Sequence, residues 1–454
     1  MIAPARVAAY DILRRIDSGR ADLPAALAEV RDALPDERDR ALATDIATGT
    51  FRWRAALDHL IVHYAKRPLA KLDPEVVNIL RLSLYQLLHL DRVPASAVVD
   101  DGVQLTKKIG KKSASGFVNA VLRNVSRARK TLPLPARPDA GASRDAQLDY
   151  LSVTLSHPRW LVARWLDRVG FERAEAWAAF NNQPAPLTLR VHTGRTTREA
   201  LIDELQGANI DAQPAHWGPD AVVIARGSLR DDTPRDTYMV QDEASQVVAL
   251  LAGVAPGPLV LDTCASPGGK ATAIAATLAD TPEARLVACD VRGRRMALLA
   301  RTVAATGSTN VRLVQADVTS PLPFRATFST VVVDAPCSGL GTLRRDPDIR
   351  WRRDEASLAS LSEAQRRMLD NAAAVVAPGG RLVYATCSSE PDENEVVAAA
   401  FLAAHPDFRA VRADAAHPGI DPALVDERGH LRTEPDTHGL ELFFGAVFER
   451  SGSL

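Results

Sequence analysis

Hydrophobic positions change their period along the chain. Up to about residue 130 they recur at steps of three and four, as at Val76, Leu80, Leu84 and Leu88, which is the spacing of helices with one buried face. Further on, two stretches keep the helical spacing and one alternates as a strand does: 161–180, 198–205 and 187–192. The pattern predicts a helical first part followed by a small mixed α+β segment.

After Pro258 short apolar runs alternate with helix-length stretches. The runs lie at 259–261, 286–289, 311–314, 330–333 and 382–385. This rhythm predicts a parallel sheet with crossover helices, a Rossmann-like α/β domain. We therefore expect a multidomain chain with an all-α domain, a Pro-, Ala- and Arg-rich linker, an α+β segment and an α/β domain. Their predicted bounds are 1–130, 131–146, 147–255 and 256–454.

Charge is balanced overall but uneven along the chain. The 454 residues carry 55 Lys and Arg against 56 Asp and Glu, yet the first 130 carry 22 against 15. The N-terminal excess is concentrated in one basic set: Lys107, Lys108, Lys111, Lys112, Arg123, Arg127, Arg129 and Lys130. Four of its lysines, Lys107, Lys108, Lys111 and Lys112, are spaced to share one side of a helix. Both a solvated helix face and a surface for nucleic acid fit this spacing.

Four cysteines in so long a chain, with no basic and apolar leader at the start, predict a protein of the reducing cytoplasm. The most apolar stretch, 76–90, is interrupted by polar residues, so we expect no membrane segment. Composition gives no indication of the oligomeric state, and a monomer is the simplest expectation.

Acidic residues follow the first four predicted strands of the α/β part. They are Asp262, Asp290, Asp317 and Asp334. A single such residue is usually a helix cap or a turn former. Four at successive strand ends favour a ligand, because ligands of open parallel sheets bind beyond the carboxyl ends of the strands. The ligand should offer hydroxyls, amines or positive charge.

The loop after the first of these strands has the sequence Cys264-Ala265-Ser266-Pro267-Gly268-Gly269-Lys270 and leads into a predicted helix. Its glycines allow close approach of a ligand, and the helix start offers free N–H groups. A phosphate-binding loop of NTPases would need Gly at 264 and Ser or Thr at 271, and the chain has Cys and Ala there. A dinucleotide fingerprint is also absent. The loop therefore favours a nucleoside-bearing ligand without pyrophosphate, of which S-adenosyl-L-methionine is the commonest.

Two of the four cysteines lie just past predicted strands, at the expected ligand rim. Cys337 stands in Asp334-Ala-Pro-Cys-Ser338 and Cys387 in Thr386-Cys-Ser388. No metal-ligand spacing surrounds them, so we expect no metal and favour a nucleophilic role. Cys289, inside an apolar run, is expected to be a small buried hydrophobe. Lys270 is the one lysine after residue 130, which indicates a need for a compact amine there.

These motifs resemble a known family. The segments 262–270, 334–338 and 386–388, with Glu393-Asn-Glu395, are similar to the ordered motifs of the RNA cytosine-5 methyltransferases, which have a Nol/Nop/Sun-type catalytic domain. The helical start is similar to the NusB-like RNA-binding domain. Together with Gln241-Asp-Glu-Ala-Ser-Gln246 this architecture resembles the Sun/Fmu-type (RsmB) enzymes that act on 16S ribosomal RNA.

The resemblance implies a function and a set of roles. Methyl transfer from S-adenosyl-L-methionine to cytosine C5 would proceed through a covalent adduct of Cys387 with C6, with Cys337 assisting product release. Asp334 would hold the N3/N4 edge of the cytosine, Asp290 the cofactor ribose and Asp317 its adenine amine. The cofactor site would comprise Cys264, Ala265, Ser266, Pro267, Gly268, Gly269, Lys270, Asp290, Arg295, Asp317 and Asp334. The substrate would be RNA, 16S rRNA first, and basic residues 344–353 would hold phosphates.

Two other functions stay open at this point: a tRNA cytosine-5 methyltransferase, and an RNA-binding assembly factor without catalysis. An amino-group methyltransferase would carry Pro-Pro-Tyr or Pro-Pro-Phe after Asp334, and the chain has Ala335-Pro-Cys337. Departures from the family occur at Ser389 and Glu390, where apolar residues are usual, and at Leu442, where a glycine is usual. Because Leu442 has a side chain where a glycine is usual, the sequence does not favour a close backbone approach at this position near the C-terminus.

Overall fold

The computed structural model describes residues 2–139, 141–229, 236–253 and 257–452. Residue 140 of the predicted linker and the predicted boundary at 255/256 lie outside these residues. The chain forms two compact units. One consists of the described residues up to Pro184 together with Leu343–Asp354, and the other of Ala185–Thr342 together with the described residues from Glu355 on.

The first unit is helical. Its α-helices are α1 Pro4–Asp17, α2 Leu23–Ala33, α3 Glu37–Arg52, α4 Arg54–Ala65, α5 Pro74–His89, α6 Ala95–Lys108, α7 Ser115–Ala128, α8 Arg144–Asp149, α9 Arg159–Asn181 and α14 Ile349–Arg352. A π-helix spans Tyr150–Thr154, and α9 is kinked at Gly170, where φ is +77°. Aspartates cap three of the helix starts by accepting hydrogen bonds from backbone amides: Asp22, Asp36 and Asp73. The apolar faces of α1–α7 form one core around α5.

The prediction that Lys107, Lys108, Lys111 and Lys112 share one side of a helix is wrong. Helix α6 ends at Lys108, and Gly110 follows with a φ of +86°, a conformation that ends helices. Lys111 therefore lies beyond the helix, where its ammonium pairs with Asp73 at 2.5 Å. Lys107 and Lys108 remain exposed on the last turn of α6.

The second unit begins with a four-stranded antiparallel sheet of order β2-β3-β1-β4. Its elements are β1 Leu187–Val191, α10 Arg198–Gly207, β2 Asp211–Pro214, β3 Ala221–Arg226, β4 Tyr238–Val240 and, after it, α11 Glu243–Leu250. One face of this sheet packs with α10 in a small core that includes Leu189, Val191 and Leu205.

The remainder of this unit is a larger sheet of order β10-β12-β9-β8-β5-β6-β7, with β11 paired to β12. Its strands are β5 Leu259–Asp262, β6 Arg285–Asp290, β7 Val311–Gln315, β8 Phe328–Asp334, β9 Val376–Thr386, β10 Phe408–Val411, β11 Leu431–Thr433 and β12 Phe443–Arg450. Its helices are α12 Gly269–Thr277, α13 Gly293–Thr306, α15 Ala356–Ala373, α16 Glu395–Ala404, α17 Ala413–Ala416 and α18 Pro435–His438. β5 to β9 are parallel, whereas β10, β11 and β12 pair antiparallel. Separate apolar clusters cover the two faces of the sheet.

The predicted fold class is confirmed: a helical first part, a small α+β segment and a Rossmann-like domain. Residues 147–184, predicted to belong to the middle segment, lie in the helical unit. Within the described ranges, no helix has both the length and the apolar character that crossing a membrane requires.

Candidate active site

Three of the four predicted aspartates end neighbouring parallel strands. Asp262, Asp290 and Asp334 are the last residues of β5, β6 and β8, so they share the carboxyl edge of the sheet. Asp317 lies two residues beyond β7 and is exposed. Its carboxylate accepts hydrogen bonds from the amide and the hydroxyl of Thr319, so it closes its own turn.

The predicted cofactor loop spans residues 264–270; in the structure residues 263–268 connect β5 to α12, and Gly269 and Lys270 are the first two residues of that helix. Gly268 has a φ of +112°, and a Cβ there would meet Thr302 at 2.9 Å, so only glycine fits. The amide of Ala265 donates to the carbonyl of Cys289, which ties the loop to β6. Cys264 and Pro267 lie in the same loop. Since α12 begins at Gly269, its first amides are available at the carboxyl edge of the sheet.

Arg295 connects the loop to the end of β6. Its guanidinium donates to Asp290 Oδ2 at 2.9 Å and to the carbonyl of Ser266 at 2.6 Å. The hydroxyl of Ser266 donates back to the carbonyl of Arg295 at 3.0 Å. The structure therefore joins these predicted residues in one network that holds the Asp290 carboxylate beside the loop.

Lys270, the second residue of α12, forms an ion pair with Asp334 across the edge of the sheet. Its Nζ lies 2.8 Å from Asp334 Oδ2 and 5.6 Å from the centre of the Phe443 ring. Burial acts to lower the pKa of Lys270, but Asp334 and Cys387 favour its charged form and the pKa is raised on balance. The ammonium therefore stays charged and holds the Asp334 carboxylate in place.

Asp262 lies behind this pair with its side chain almost fully buried. Burial, together with the nearby Asp334 carboxylate, raises the pKa of Asp262 to about 7. One of its oxygens accepts a hydrogen bond from the amide of Cys264. Burial also raises the pKa of the Cys264 thiol, so this cysteine stays neutral.

Cys337 and Cys387 are brought together by the pairing of β8 with β9. These strands are parallel neighbours in which Asp334 is opposite Ala385. Cys337 follows Asp334 by three residues and Cys387 follows Ala385 by two, so both emerge at the same edge. Their sulfur atoms lie 3.3 Å apart. This hydrogen bond, and then burial, raise the pKa of the Cys337 thiol well above its ordinary value.

Glu393, fully buried, connects the two cysteine loops. One of its carboxylate oxygens accepts hydrogen bonds from the Ser338 amide at 2.8 Å and from Gln365 Nε2 at 3.0 Å. The other accepts from the Ser388 hydroxyl at 2.5 Å. Ser338 and Ser388 each directly follow one of the cysteines, so a single carboxylate fixes the spacing of both turns.

The close backbone approach questioned at Leu442 is present, and Gly341 makes it possible. The amide of Gly341 donates to the carbonyl of Cys387 at 2.8 Å, and the amide of Leu442 donates to the carbonyl of Gly341 at 3.1 Å. A Cβ on residue 341 would lie 2.0 Å from the Leu442 carbonyl oxygen. Leu442 itself is buried without obstructing this contact.

Arg190, on β1 of the small sheet, reaches the cofactor loop. Its guanidinium donates to the carbonyl of Gly269, to Gln241 Oε1 at 2.7 Å and to Thr272 Oγ1 at 2.7 Å. Burial lowers the pKa of Arg190 to about 10, still well above neutral pH. The small sheet thus contributes a charged side chain that fastens the first turn of α12.

The expected phosphate role of Arg350 is wrong. The side chain is fully buried in the helical unit and donates to four backbone carbonyls and to Asn182 Oδ1. Burial lowers its pKa to about 9. Its neighbour Arg352 pairs with Asp348 at 2.9 Å, and Arg344 stacks on Phe180 at 4.4 Å. Arg350 is therefore a structural connector of the helical unit.

Three family models match the chain in order. The NusB family matches residues 3–127, a ferredoxin-like domain of RsmF/B-like methyltransferases matches 157–228, and the 16S rRNA methyltransferase RsmB/F family matches 249–449. The ribosomal RNA small subunit methyltransferase B of Pseudomonas putida is 34% identical over 434 residues, which is 94% of this chain and 96% of that protein. The chain belongs to the RsmB/F family of 16S rRNA methyltransferases. The family resemblance found in the sequence is thus confirmed.

Other members and a solved structure agree over nearly the whole length. The probable ribosomal RNA small subunit methyltransferase B of Synechocystis is 32% identical, with 98% of this chain and 99% of that protein covered. The crystal structure of PH0851 superposes with a TM-score of 0.80 at 25% identity and covers 99% of this chain and 100% of that chain. The RsmB/F architecture therefore extends over the full length of this chain.

Two residues of this RsmB/F site were not predicted from the sequence as site residues. Glu393 appeared there only as part of a family motif, and Arg190 was one residue of an alternating strand. For Glu393, the sequence signal is a carboxylate in the segment that follows the turn of Cys387. No sequence signal indicates Arg190, because it alternates with the apolar residues Leu189 and Val191 and so stands at a position where a polar side chain is expected.

Proposed function

We propose that this chain transfers a methyl group from S-adenosyl-L-methionine to C5 of a cytosine in RNA, with 16S ribosomal RNA as the substrate. The observation that carries the proposal is the pair of cysteine sulfurs 3.3 Å apart, next to the Lys270–Asp334 ion pair. Cytosine C5 is a weak nucleophile, so it must first be activated by addition of a nucleophile at C6. A thiolate at the rim of the sheet is suited to that step.

The residues around the loop fit S-adenosyl-L-methionine. Asp290 offers a buried carboxylate for ribose hydroxyls, and the first amides of α12, which begins at Gly269, are available at the same edge of the sheet. Val291, next to Asp290, is 47% exposed and offers apolar surface for the purine. Asp317 would have to release its turn with Thr319 to reach the adenine amine. When bound, S-adenosyl-L-methionine supplies an electrophilic methyl group.

Cys387 is the nucleophile in this proposal. The neutral thiol of Cys337 donates a hydrogen bond to the Cys387 sulfur, which stabilises a thiolate there. Addition of this thiolate forms the S–C6 bond and places electron density on C5. After C5 is methylated, the C5 proton leaves to water and its bonding electrons restore the C5=C6 double bond. The S–C6 bond breaks with its electron pair going to the Cys387 thiolate, a release that Cys337 assists.

Asp334 and Lys270 act on the other edge of the base. Asp334 accepts a hydrogen bond from the N4 amine and stabilises a proton at N3, so that the ring accepts electron density as the thiolate adds. Lys270 keeps this carboxylate oriented through the 2.8 Å ion pair. The base must be unstacked to reach a half-buried thiol, which costs least in single-stranded or loop RNA.

The domain assignment belongs to the same proposal. The helical unit, to which residues 147–184 belong, and the small sheet β1–β4 bind RNA, and the larger sheet with its helices carries the methyl transfer. Exposed cations of the helical unit, such as Lys107, Lys108 and Arg123, suit phosphates of a structured RNA.

Bisulfite mapping of total RNA tests the proposal. Cells that lack the gene should lose a 5-methylcytosine in 16S rRNA, and expression of the wild-type chain should restore it. The Cys387→Ala protein should not restore it. A lost tRNA mark with unchanged 16S rRNA would overturn the substrate, and restoration by Cys387→Ala would overturn the mechanism.

A further inference from the structure

A cleft of about 530 Å³ lies in the second unit, at the end of the parallel sheet away from the cysteines. Its wall includes Arg285, the first residue of β6, and Asn310, which directly precedes β7. Asp290 of the cofactor site is at the other end of β6, five residues from Arg285 and about 16–17 Å away at the rise of a strand. The cleft therefore lies at the opposite end of the sheet from the cysteines, although Arg190 and Thr272, which support the cofactor loop, also contribute to its wall.

The cleft is rich in cations. Arg190, Arg195 and Arg285 line it, and Asp220 is the one acidic residue among the described residues that do so. Burial raises the pKa of the Asp220 carboxyl, while Arg190 and Arg198 act to lower it. Beyond residue 130 the chain carries 33 Lys and Arg against 41 Asp and Glu, so this concentration of arginine is local. Its charge favours an anion.

Arg195 is the arginine most available to a ligand. Its side chain is 36% exposed and pairs at 3.2 Å with Asp236, which is itself 63% exposed. Exposed pairs of this kind contribute little, so an anion of higher charge density can replace Asp236. The guanidinium lies over Gly307, where a Cβ would come within 3.2 Å of it. The turn of α13 into β7 thus leaves room for the arginine head.

Two walls of the cleft carry acceptors without a hydrogen-bond partner. His192 donates from Nδ1 to the carbonyl of Asp236, and burial lowers its pKa, so Nε2 is an unprotonated acceptor. That Nε2 has no partner in the structure. Gln246 is 95% buried, and its Oε1 likewise has no partner. Hydroxyl donors from a ligand are the groups that would satisfy such atoms.

The cleft does not provide a surface for stacking a base. Among the described residues that line it, the one aromatic ring is the imidazole of His192. Sites that recognise bases or free nucleotides commonly stack them on aromatic rings. Arginines for phosphates and acceptors for hydroxyls instead match the sugar–phosphate chain of RNA.

We propose that this cleft binds the ribose–phosphate backbone of the substrate RNA at a point remote from the target cytosine. The inference rests on the proposed function. Arg195 and Arg285 contact phosphates, whereas His192 and Gln246 accept hydrogen bonds from 2′-hydroxyls. The contact is independent of sequence and adds to the affinity that the rim of the sheet provides.

Binding of a labelled 16S rRNA fragment to the full chain, followed by fluorescence anisotropy at several salt concentrations, tests the cleft. Arg195→Gln should weaken binding about three- to tenfold at 0.1 M salt and lower the slope of log K against log salt by about 1. Arg301→Gln is the matched control, because Arg301 is exposed on α13 and does not line the cleft. His192→Ala should reduce the preference for this RNA over DNA of the same sequence.

Equal affinity and equal salt slope for Arg195→Gln and Arg301→Gln would overturn the proposal. So would binding of inorganic phosphate, by calorimetry, that Arg195→Gln abolishes while RNA affinity is unchanged, since the cleft would then hold a free anion. Both variants should bind S-adenosylhomocysteine as the wild type does. Failure of the wild-type chain to methylate any RNA would refute the proposed function, whereas these binding results bear on the cleft alone.

Discussion

The sulfur atoms of Cys337 and Cys387 lie 3.3 Å apart although 50 residues separate them in the chain. Their proximity follows from one strand pairing, since Asp334 of β8 is opposite Ala385 of β9 and each cysteine lies just beyond its strand. The pKa of the Cys337 thiol is raised by its hydrogen bond to Cys387 and by burial, so Cys337 is the neutral partner of the pair. This agrees with the nucleophilic role proposed for Cys387.

This asymmetry predicts opposite outcomes for the two alanine variants. Cys337→Ala should accumulate a covalent protein–RNA adduct in the presence of S-adenosyl-L-methionine, because addition at C6 proceeds while release is slowed. Cys387→Ala should form none. Denaturing gel electrophoresis with labelled RNA measures the adduct. The double variant is the control, and an adduct in it would assign the nucleophile to another residue.

Much of the site was predictable because parallel strands end at one edge. Asp262, Asp290 and Asp334 follow apolar runs, and any parallel order of their strands brings them to the same rim. The distance between the cysteines was not predictable, since it depends on β8 and β9 being neighbours in a particular register. Asp317 shows the limit of the rule: it lies beyond β7 and its carboxylate is used in its own turn.

Arg350 and Arg190 show why the local sequence pattern does not predict which charged residues are buried. Arg350 stands among four other arginines within ten residues, a composition typical of surfaces, yet it is fully buried among carbonyls that come from distant segments. Arg190 lies on the face of β1 opposite to Leu189 and Val191, and its acceptors Gly269 and Thr272 are some 80 residues away. Only tertiary structure supplies these partners.

Arg190→Met is expected to weaken binding of S-adenosylhomocysteine about tenfold, because the Gly269 carbonyl and the Thr272 hydroxyl lose a charged donor. Lysine should not rescue it, since one ammonium does not span three acceptors. Calorimetry measures the affinity. Arg226→Met, an exposed arginine on the same sheet, is the control and should bind as the wild type does. Unchanged affinity in Arg190→Met would show that the arginine does not position the loop.

Glu393→Ala is expected to lower the free energy of unfolding by about 3 kcal/mol, because it leaves buried donors of Ser338, Ser388 and Gln365 without their carboxylate. It should also slow adduct formation in the Cys337→Ala background, since both cysteine turns lose their common support. Denaturant unfolding and the adduct gel measure the two effects. Glu363→Gln, an exposed residue of α15, is the control. A stable Glu393→Ala protein that forms adduct at the control rate would contradict this role.

Asp262 gives the stability a specific dependence on pH. Its folded-state pKa of about 7 exceeds the ordinary value of 3.8, so the folded protein binds the extra proton. The stabilising contribution is present below about pH 4 and is lost as the pH rises to about 7. The free energy of unfolding of Asp262→Asn, relative to that of the wild type, should therefore rise by up to about 4 kcal/mol between pH 4 and pH 8. Unfolding in denaturant at several pH values checks this, and a difference independent of pH would contradict it.

Gly341→Ala tests the backbone contact that joins the two cysteine loops to β12. The added Cβ would lie 2.0 Å from the Leu442 carbonyl oxygen and 2.8 Å from that of Cys387, and both are main-chain atoms that a side-chain rotation does not move. The loops must therefore separate, which should cost about 1–3 kcal/mol of stability and slow methyl transfer at least tenfold. Gly116→Ala is the matched control, because that glycine lies in α7 with open space around it, and alanine there should be neutral or stabilising by up to about 1 kcal/mol. If Gly341→Ala retains wild-type stability and rate, the hydrogen bond between Gly341 and Cys387 does not determine the position of the nucleophile.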